Sequence, residues 1–334
     1  MTLQNVGIVF GGANSEHEVS CSSARGVLEH LDRSRFSPIL IGIDKAGGWH
    51  RVGAIEELQN ARGGSALPHF DDVDVILPVL HGRFGEDGTV QGLFELAGVP
   101  YVGNGVLASA LAMDKQMCQR VLAAAGIPTV PTVVVTAEGR AEARSKAESI
   151  GYPIFVKPNR AGSSVGVSRV DSAEGLGVAV DLAFASDTTV LLQPLVVGDE
   201  VDLGVLQATN GDVAVGAALR ILPGEGSTFF DYASKYTDGG HEFEVPALLD
   251  DGLRGRLESL AVAAFRALDC EGLARVDFFV TADGSVILNE VNTMPGMTSL
   301  SQYPAMWKAR GIEYTELLTR LIDRALVARV RIAR

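Results

Sequence analysis

Positive charge is in short supply in this chain. Against 41 Asp and Glu it sets 28 Lys and Arg, a formal net charge of -13 at neutral pH. So acidic a balance argues against general binding to nucleic acid or to anionic membranes, which takes clustered lysine and arginine. Any phosphate-bearing ligand has to be met by local cations instead. Cysteine is scarcer still. Cys21, Cys118 and Cys270 are odd in number, far apart and without metal-like spacing. They read as reduced thiols of a cytosolic protein, and nothing beside them supports a catalytic cysteine. No apolar run approaches the ~20 residues of a membrane span. Residues 1–10, MTLQNVGIVF, carry no basic stretch before their short apolar run. They read as a first strand, not a signal peptide.

What the chain has in plenty is glycine, 38 of its 334 residues, against a usual share of ~7%. That excess points to several tight loops near ligands, although a bias toward small residues would give it too. The hydrophobic fraction of 47% and charged fraction of 21% fit an ordinary globular protein, long enough for two or three packed units.

The apolar run 6–10 ends in Gly11-Gly12 and leads into Ser15-Glu16-His17-Glu18, a pattern like a capping box. A helix follows with Val19, Val27, Leu28 and Leu31 inward. Strand, glycine turn and helix open an α/β sheet whose ligands sit at the carboxyl ends of strands. Glu16 and Glu18 at the helix start would repel an anion, so Glu16 suits a substrate ammonium; a first-turn acid complementing the helix dipole is the alternative. Strands over 38–43 and 73–80 follow. The second runs into the glycine-rich loop HGRFGEDG, 81–88, where His81 is either a ligand or proton-handling group or a loop residue bonded to backbone, its loop position favouring function. A helix spans about 88–97, and 100–103 looks like a domain edge.

Further on, the pattern predicts a helix over 105–125, a strand near 132–135, a helix over 141–150 and a strand over 152–158 that ends beside Lys157. The loop NRAGSSVG, 159–166, reads as a mobile flap with free N–H and O–H donors for phosphates, with Val165 and Val167 in the continuing strand. It has no Walker lysine and opens no helix, so it is not a P-loop. A helix near 173–185, a strand over 189–194 and a hairpin about Asn210-Gly211 come next. The polar stretch 223–243 holds Phe229, Phe230, Tyr232, Lys235 and Tyr236 and reads as a lid. Helices over 250–268 and 314–327 complete the chain; the second carries Leu317, Leu318, Leu321, Ile322 and Leu326 on one stripe.

The organising stretch is 273–296, LARVDFFVTADGSVILNEVNTMPG. Asp283-Gly284 predicts a two-residue hairpin turn. Asp277 then lies opposite Glu290, and Arg275 opposite Asn292. Alternation puts these four on one face, and Val276, Phe278, Val280, Ile287 and Val291 on the other. Facing carboxylates repel, so a positive group must sit between them. Arg275 supplies part of that, and a hard divalent cation with oxygen ligands the rest. An arginine beside such a metal suits phosphate.

In order, the motifs GGANSEHEVS, HGRFGEDGTVQG, MDK, VKPNRAGSSVG, DYASKY, ARVD and NEVNTMPGMTS closely resemble those of the D-alanine–D-alanine ligases, of the ATP-grasp superfamily. The likeness covers nearly the whole chain. It implies an α/β protein of ATP-grasp fold, with α+β character in its ATP-binding part. An N-terminal open-sheet substrate domain would span 1–103, a central ATP-grasp subdomain 104–196, and a C-terminal subdomain 197–334 carrying the metal site and the lid. The implied reaction joins two D-alanines through a D-alanyl phosphate, for peptidoglycan, in a cytoplasmic homodimer. By resemblance Lys115, Lys157 and Lys235 contact ATP and Glu200 its ribose. Asp277, Glu290 and Asn292 hold two Mg²⁺, with Mn²⁺ as a substitute. Glu16 binds the first ammonium with His81 nearby, and Ser301 the second carboxylate. Arg275 and the Gly296 N–H stabilise the oxyanion, while Ser163 and Tyr236 bond near Glu16 and close the site. Three places depart from the family pattern. Gln193 stands where glutamate is usual, the run Val201-Asp202-Leu203 is unusual, and Gln302 follows Ser301 at a position that varies between branches. A ligase for D-serine or D-lactate, and a nucleotide-binding protein without catalysis, are the alternatives.

Overall fold

The computed structural model describes residues 3–162, 165–223 and 241–332. The chain begins with β1 (Gln4–Gly11), α1 (His17–His30), β2 (Phe36–Ile43), β3 (Trp49–Val52) and β4 (Val75–Pro78). These form a sheet in the order β3-β2-β1-β4. β1 runs parallel to both β2 and β4, and β3 closes the edge antiparallel. The central strands are apolar without alternation, as a sheet covered on both faces requires. α2 (Thr89–Ala97) follows the 81–88 loop.

The helix predicted over 105–125 is two helices, α3 (Val106–Met113) and α4 (Lys115–Ala124). Asp114 leaves helical geometry between them and accepts the Met117 N–H at 3.0 Å, capping α4. An N-cap carboxylate satisfies a donor that a continuous helix would have used internally. Next come β5 (Val133–Thr136), α5 (Ala143–Ile150), β6 (Ile154–Pro158), β7 (Ser168–Val170), α6 (Ala173–Phe184) and β8 (Thr189–Pro194). Their sheet is antiparallel throughout, ordered β5-β8-β6-β7. Val165 and Val167, expected in the strand after the flap, precede β7.

The third sheet is built on β9 (Asp199–Gln207). The hairpin about Asn210-Gly211 is present, but its return arm is divided into β10 (Val213–Val215) and β11 (Leu219–Pro223), both antiparallel to β9. The lid segment falls mainly outside the described residues; its end forms β12 (His241–Glu244), paired with β11. α7 (Asp251–Ala267) crosses the back of this sheet, followed by β13 (Leu273–Val280), β14 (Val286–Asn292), α8 (Gln302–Lys308) and α9 (Tyr314–Ile332). The order is β12-β11-β9-β13-β14. Leu257, Ala261, Ala264 and Phe265 of α7 pack on Val201, Leu203, Val276 and Phe278. The predicted stripe of α9 returns to the first sheet: Leu317, Leu318, Leu321 and Ile322 join one core with Val6, Ile8, Val75 and Leu77. Cys21, Cys118 and Cys270 are buried free thiols. Burial pushes Cys21 up to about 11 and Cys118 up to about 12. Among the described residues no helix is long and apolar enough to cross a membrane.

The β13–β14 turn departs from its prediction. Thr281 N donates to Ser285 O at 3.0 Å, Gly284 N donates to Thr281 O at 2.9 Å, and Gly284 has φ +79°. Ala282, Asp283 and Gly284 thus make a three-residue loop with a left-handed glycine. That shifts pairing by one residue, so Phe278 meets Leu288 and Phe279 meets Ile287. An extra residue, Asn289, then restores the expected pairs of Asp277 with Glu290 and Arg275 with Asn292. Two irregularities cancel at the site. Between them Ile287 changes sides: it pairs with Phe279, while Val286 and Leu288 enter the core instead.

Candidate active site

The three sheets meet at a cleft of about 880 Å³. The 81–88 loop and the start of α1 form one wall, β6 and β8 form another, and β9, β13 and β14 supply the floor.

The floor carries three acids abreast, because Asp277 pairs with Asp202 on β9 and with Glu290 on β14. Directly opposed residues share a sheet face. Asp202 and Asp277 are 0% and 1% exposed. Burying carboxylates is unfavourable unless they are paired. Arg275 answers this with a fork: Nε donates to Asp277 Oδ1 and Nη2 to Oδ2, both at 2.7 Å, with Nε 3.6 Å from Asp202 Oδ2. Burial disfavours the charged guanidinium, but the carboxylates of Asp277, Asp202 and Glu290 together more than offset it and hold the arginine above its ordinary pKa. Asn292 Nδ2 also donates to Asp277, at 2.8 Å, which leaves its Oδ1 as an acceptor. Glu290, Asn292 and Arg275 line the cleft, whereas Asp277 lies beneath them. Among the described residues no group of three His, Cys, Asp or Glu gathers as a metal shell. The donors that do line the cleft, the Glu290 carboxylate and the Asn292 carbonyl oxygen, are hard and few. They suit Mg²⁺, which typically takes one or two carboxylates and completes its shell with phosphate and water.

The far wall is assembled from separate segments. The expected capping box is not formed: Glu16 takes the N-cap position with no side-chain cap, and Glu18 turns to Lys45 at 2.7 Å. Asn14 fixes the helix start instead. Its Oδ1 accepts the Glu16 N–H at 2.8 Å, while Nδ2 donates to His81 O at 2.9 Å and Arg83 O at 2.7 Å. The Glu16 carboxylate lies against two glycines; a Cβ on Gly82 would sit 1.9 Å from Oε2, and one on Gly162 would sit 3.0 Å from it. His81 is buried with Nδ1 3.2 Å from Met294 O and Nε2 2.9 Å from Ser23 Oγ. A carbonyl can only accept, so Nδ1 carries the proton and Ser23 donates to Nε2. Burial depresses the imidazole to about 4, so it is neutral.

Glu86 lines the same wall and was not singled out from sequence. Its carboxyl accepts N–H bonds from Gly82 at 2.6 Å and Met294 at 3.3 Å. Burial first, then the charge of Glu16, pushes it up to about 8 despite those bonds. The signal was present in the GEDG loop, but nothing local tells which of its acids turns inward.

On the remaining wall, Lys157 of β6 and Glu200 of β9 line the cleft. Lys115 lines it too and donates to Ala161 O at 2.7 Å, at the base of the flap. Gln193 donates to Thr132 Oγ1 at 2.7 Å. Gly296 and Ser301 face the cleft together; Ser301 Oγ accepts the Thr298 N–H at 3.0 Å and lies 2.8 Å from Thr298 Oγ1. Ser163, Lys235 and Tyr236 lie outside the described residues. Ser23 and Thr298 are polar partners that sequence reasoning passed over, since each acts through a contact distant in the chain or set by a loop; Asp202 was noted only as part of an unusual run, not as a member of the floor row.

Two antiparallel sheets opening on one cleft, with a mainly parallel sheet for its far wall, place the protein among the ATP-grasp enzymes. Residues 5–104 match the family model for the D-ala D-ala ligase N-terminus, and residues 121–323 the one for its C-terminus. The chain is 49% identical to a D-alanine–D-alanine ligase of Nocardia farcinica, over 96% of each chain. It is 43% identical to that of Mycobacterium tuberculosis H37Rv, over 96% of this chain and 95% of the other. Among solved structures it is similar to the VanG D-Ala:D-Ser ligase of Enterococcus faecalis, with 37% identity, TM-score 0.86 and coverage of 97% and 100%. It is also similar to the D-alanine–D-alanine ligase of Coxiella burnetii, with 29% identity, TM-score 0.88 and coverage of 100% and 97%. The chain belongs to the D-alanine–D-alanine ligase family and is a ligase.

Proposed function

We propose that the protein uses ATP to join two molecules of D-alanine into D-alanyl-D-alanine, for peptidoglycan synthesis. The observation that carries this is the contrast across one cleft. The floor offers Arg275 held on Asp277 beside Glu290 and Asn292, a setting for phosphate. The far wall offers Glu16 and Glu86, a setting for an ammonium.

In this reading Glu16 holds the ammonium of the first D-alanine, with His81 neutral beside it. The carboxylate of that D-alanine attacks the γ-phosphorus of ATP, giving D-alanyl phosphate and ADP. The amine of the second D-alanine, its carboxylate held by Ser301, then attacks the acyl carbon; phosphate leaves and the nitrogen loses a proton. Lys115, Lys157 and Lys235 meet the nucleotide, and Glu200 its ribose hydroxyls. Arg275 and the Gly296 N–H neutralise charge on the transferring group and the oxyanion, donors typically worth ~3–4 kcal/mol each. Two Mg²⁺ (Mn²⁺ as a substitute), held through Glu290, Asn292 and Asp277, would supply Lewis-acid neutralisation of the phosphates. Ser163 and Tyr236 close the site against water, which would hydrolyse the acyl phosphate. Residues 1–103 form the substrate domain, and 104–196 and 197–334 the two ATP-grasp subdomains, of a cytoplasmic homodimer.

The test is ADP release with and without D-alanine, with the product weighed by mass spectrometry. D-alanine-dependent ADP and a D-Ala-D-Ala mass are expected. ADP formation indifferent to D-alanine, or none at all, would overturn the proposal.

A further inference from the structure

The loop that leaves β6 is tied down by a pair of residues that the reaction itself does not call on. Asp187, in the turn between α6 and β8, has a side chain only 3% exposed. Its Oδ2 accepts from Arg160 twice, from the backbone N–H at 2.7 Å and from Nε at 3.2 Å. Its Oδ1 accepts Arg160 Nη2 at 2.7 Å and the Thr189 N–H at 3.1 Å. Four N–H donors thus satisfy a buried carboxylate. Arg160 stands between contacts that reach the cleft. One residue before it, Asn159 accepts the Lys115 N–H at 3.3 Å through its carbonyl and the Gln116 N–H at 2.8 Å through Oδ1. One residue after it, Ala161 O accepts Lys115 Nζ at 2.7 Å. Next comes Gly162, so close to Glu16 that a Cβ there would sit 3.0 Å from Oε2. Lys115, Ala161, Gly162 and Glu16 line the cleft; Arg160 and Asp187 stand outside that lining.

We infer that Arg160, clasped by Asp187, is a positioning residue for both substrates at once: it holds Ala161 O where it aims Lys115 at the nucleotide, and Gly162 where it backs Glu16 at the first D-alanine. The inference rests on the ligase reading and deepens it. An ammonium has three donors. Ala161 O takes one, which fixes the direction of the lysine stem and leaves two for phosphate. A lysine free to swing would lose that freedom on binding and hold the nucleotide less tightly. The Ala161 carbonyl keeps its place only while the residue before it does. Arginine suits the clasp because its rigid fork meets two carboxylate oxygens together, which a lysine cannot do.

The test measures Kd for ATP by calorimetry, and KM for the first and second D-alanine from ADP release. Arg160→Ala is expected to raise Kd for ATP and KM for the first D-alanine together, each by about tenfold, inside the range of coupling between residues in contact. KM for the second D-alanine should hold. Asp187→Ala should do at least as much, and Arg160→Lys should recover part of the loss. Arg160→Ala made on a Lys115→Ala background separates aiming from stability. Kd for ATP should then scarcely move further, because the lysine that the clasp positions is gone. A clasp that served the fold alone would lower the melting temperature and leave the three constants as they were. An Arg160→Ala protein in which either Kd for ATP or the first KM is unmoved, or an additive loss of ATP binding in the double variant, overturns the inference. Where Asp187→Ala does not fold, Arg160→Ala, made at a side chain 49% exposed, decides alone. A wild type without D-alanine-dependent ADP release overturns the ligase reading itself.

Discussion

The two ends of the cleft both crowd carboxylates together, and they resolve the crowding differently. On the floor, Asp202 and Asp277 are sealed with a cation of their own, Arg275, whose fork is satisfied within the protein. On the far wall the charges acting on Glu86, from Glu16 and then Glu290, are both negative, and the carboxyl keeps its proton to about pH 8. The floor therefore holds its acids with a cation of its own, and in the proposed function the same cation meets phosphate. On the wall, burial and the charge of Glu16 hold the Glu86 carboxyl in its protonated form, a cost that a bound ammonium would offset in the proposed function. Binding energy is best stored where the ligand relieves something.

The sharpest way to break this contrast is to remove the floor's cation. Arg275→Ala takes the guanidinium away from two buried acids, and losing one partner of a buried ion pair costs about 3–5 kcal/mol. Turnover should fall by about a thousandfold or more, since the variant also lacks a donor aimed at developing charge. Chemical unfolding and ADP release measure the two effects. Arg275→Lys retains charge without the fork and should fall between. A variant that lost turnover at unchanged stability would mean the floor is not self-compensating.

A smaller effect is expected from Gly82→Ala on the wall. The residue has φ +70°, and its Cβ would overlap the Glu16 carboxylate. Strain of this kind costs about 1–3 kcal/mol. Displacement of Glu16 should raise KM for the first D-alanine by roughly tenfold or more, by the cost of a misplaced binding group. KM for ATP should hold. Equal changes in both would mean that Glu16 does not single out the first substrate.

The wall's strain is also visible in pH. A carboxyl whose folded pKa is raised binds its proton more tightly folded than unfolded. Stability is then lost as pH rises from the ordinary carboxylate range, near 4.5, to about 8. Glu86→Gln carries no charge at any pH. Its ligand-free melting temperature should overtake the wild type's as pH climbs through that window, and the gain should vanish near pH 4.5. His81, depressed to about 4, acts oppositely: its contribution is lost as pH falls from 6.5 toward 4. A difference between wild type and Glu86→Gln that ignores pH would mean Glu86 is already ionised. Saturating D-alanine should narrow the gap, because the ammonium offsets the wall's charge.

How much of this was legible beforehand follows the same division. The floor lies on one hairpin, so alternation and one turn sufficed to bring Asp277 to Glu290 and Arg275 to Asn292. Asp202 joins that row from a position seventy-five residues before Asp277, and no local pattern announces the pairing. The wall is drawn from three loops and a helix start, and Glu16 and His81 were legible through chemistry and resemblance, not periodicity. Glu86 was missed because a loop acid becomes special only when Gly82 and Met294 turn their N–H groups toward it. The break at Asp114 was missed because helical propensity is continuous there and only the cap contact interrupts it.

The hairpin itself offers the mildest test, and it asks whether the correct pairing was reached by compensation. The three-residue loop moves β14 by one position, and Asn289 moves it back. If Asn289 only absorbs alternation, deleting it joins Leu288 directly to Glu290. Leu288 still meets Phe278, Glu290 still meets Asp277, and the two still point to opposite faces, as neighbours in a regular strand do. The floor should survive. A bulge also bends and twists its strand, however. Its removal is expected to cost about 1 kcal/mol, of the order of a lost ladder contact, and to slow D-alanine-dependent ADP release by less than about tenfold, since a tenfold change takes about 1.4 kcal/mol. Asn289→Ala, which keeps the bulge, should change neither appreciably. If the deletion abolishes turnover while Asn289→Ala does not, the bulge is what aims Glu290 into the cleft. The floor would then depend on local distortion as the wall does, and the contrast between the two ends would narrow to their charge alone.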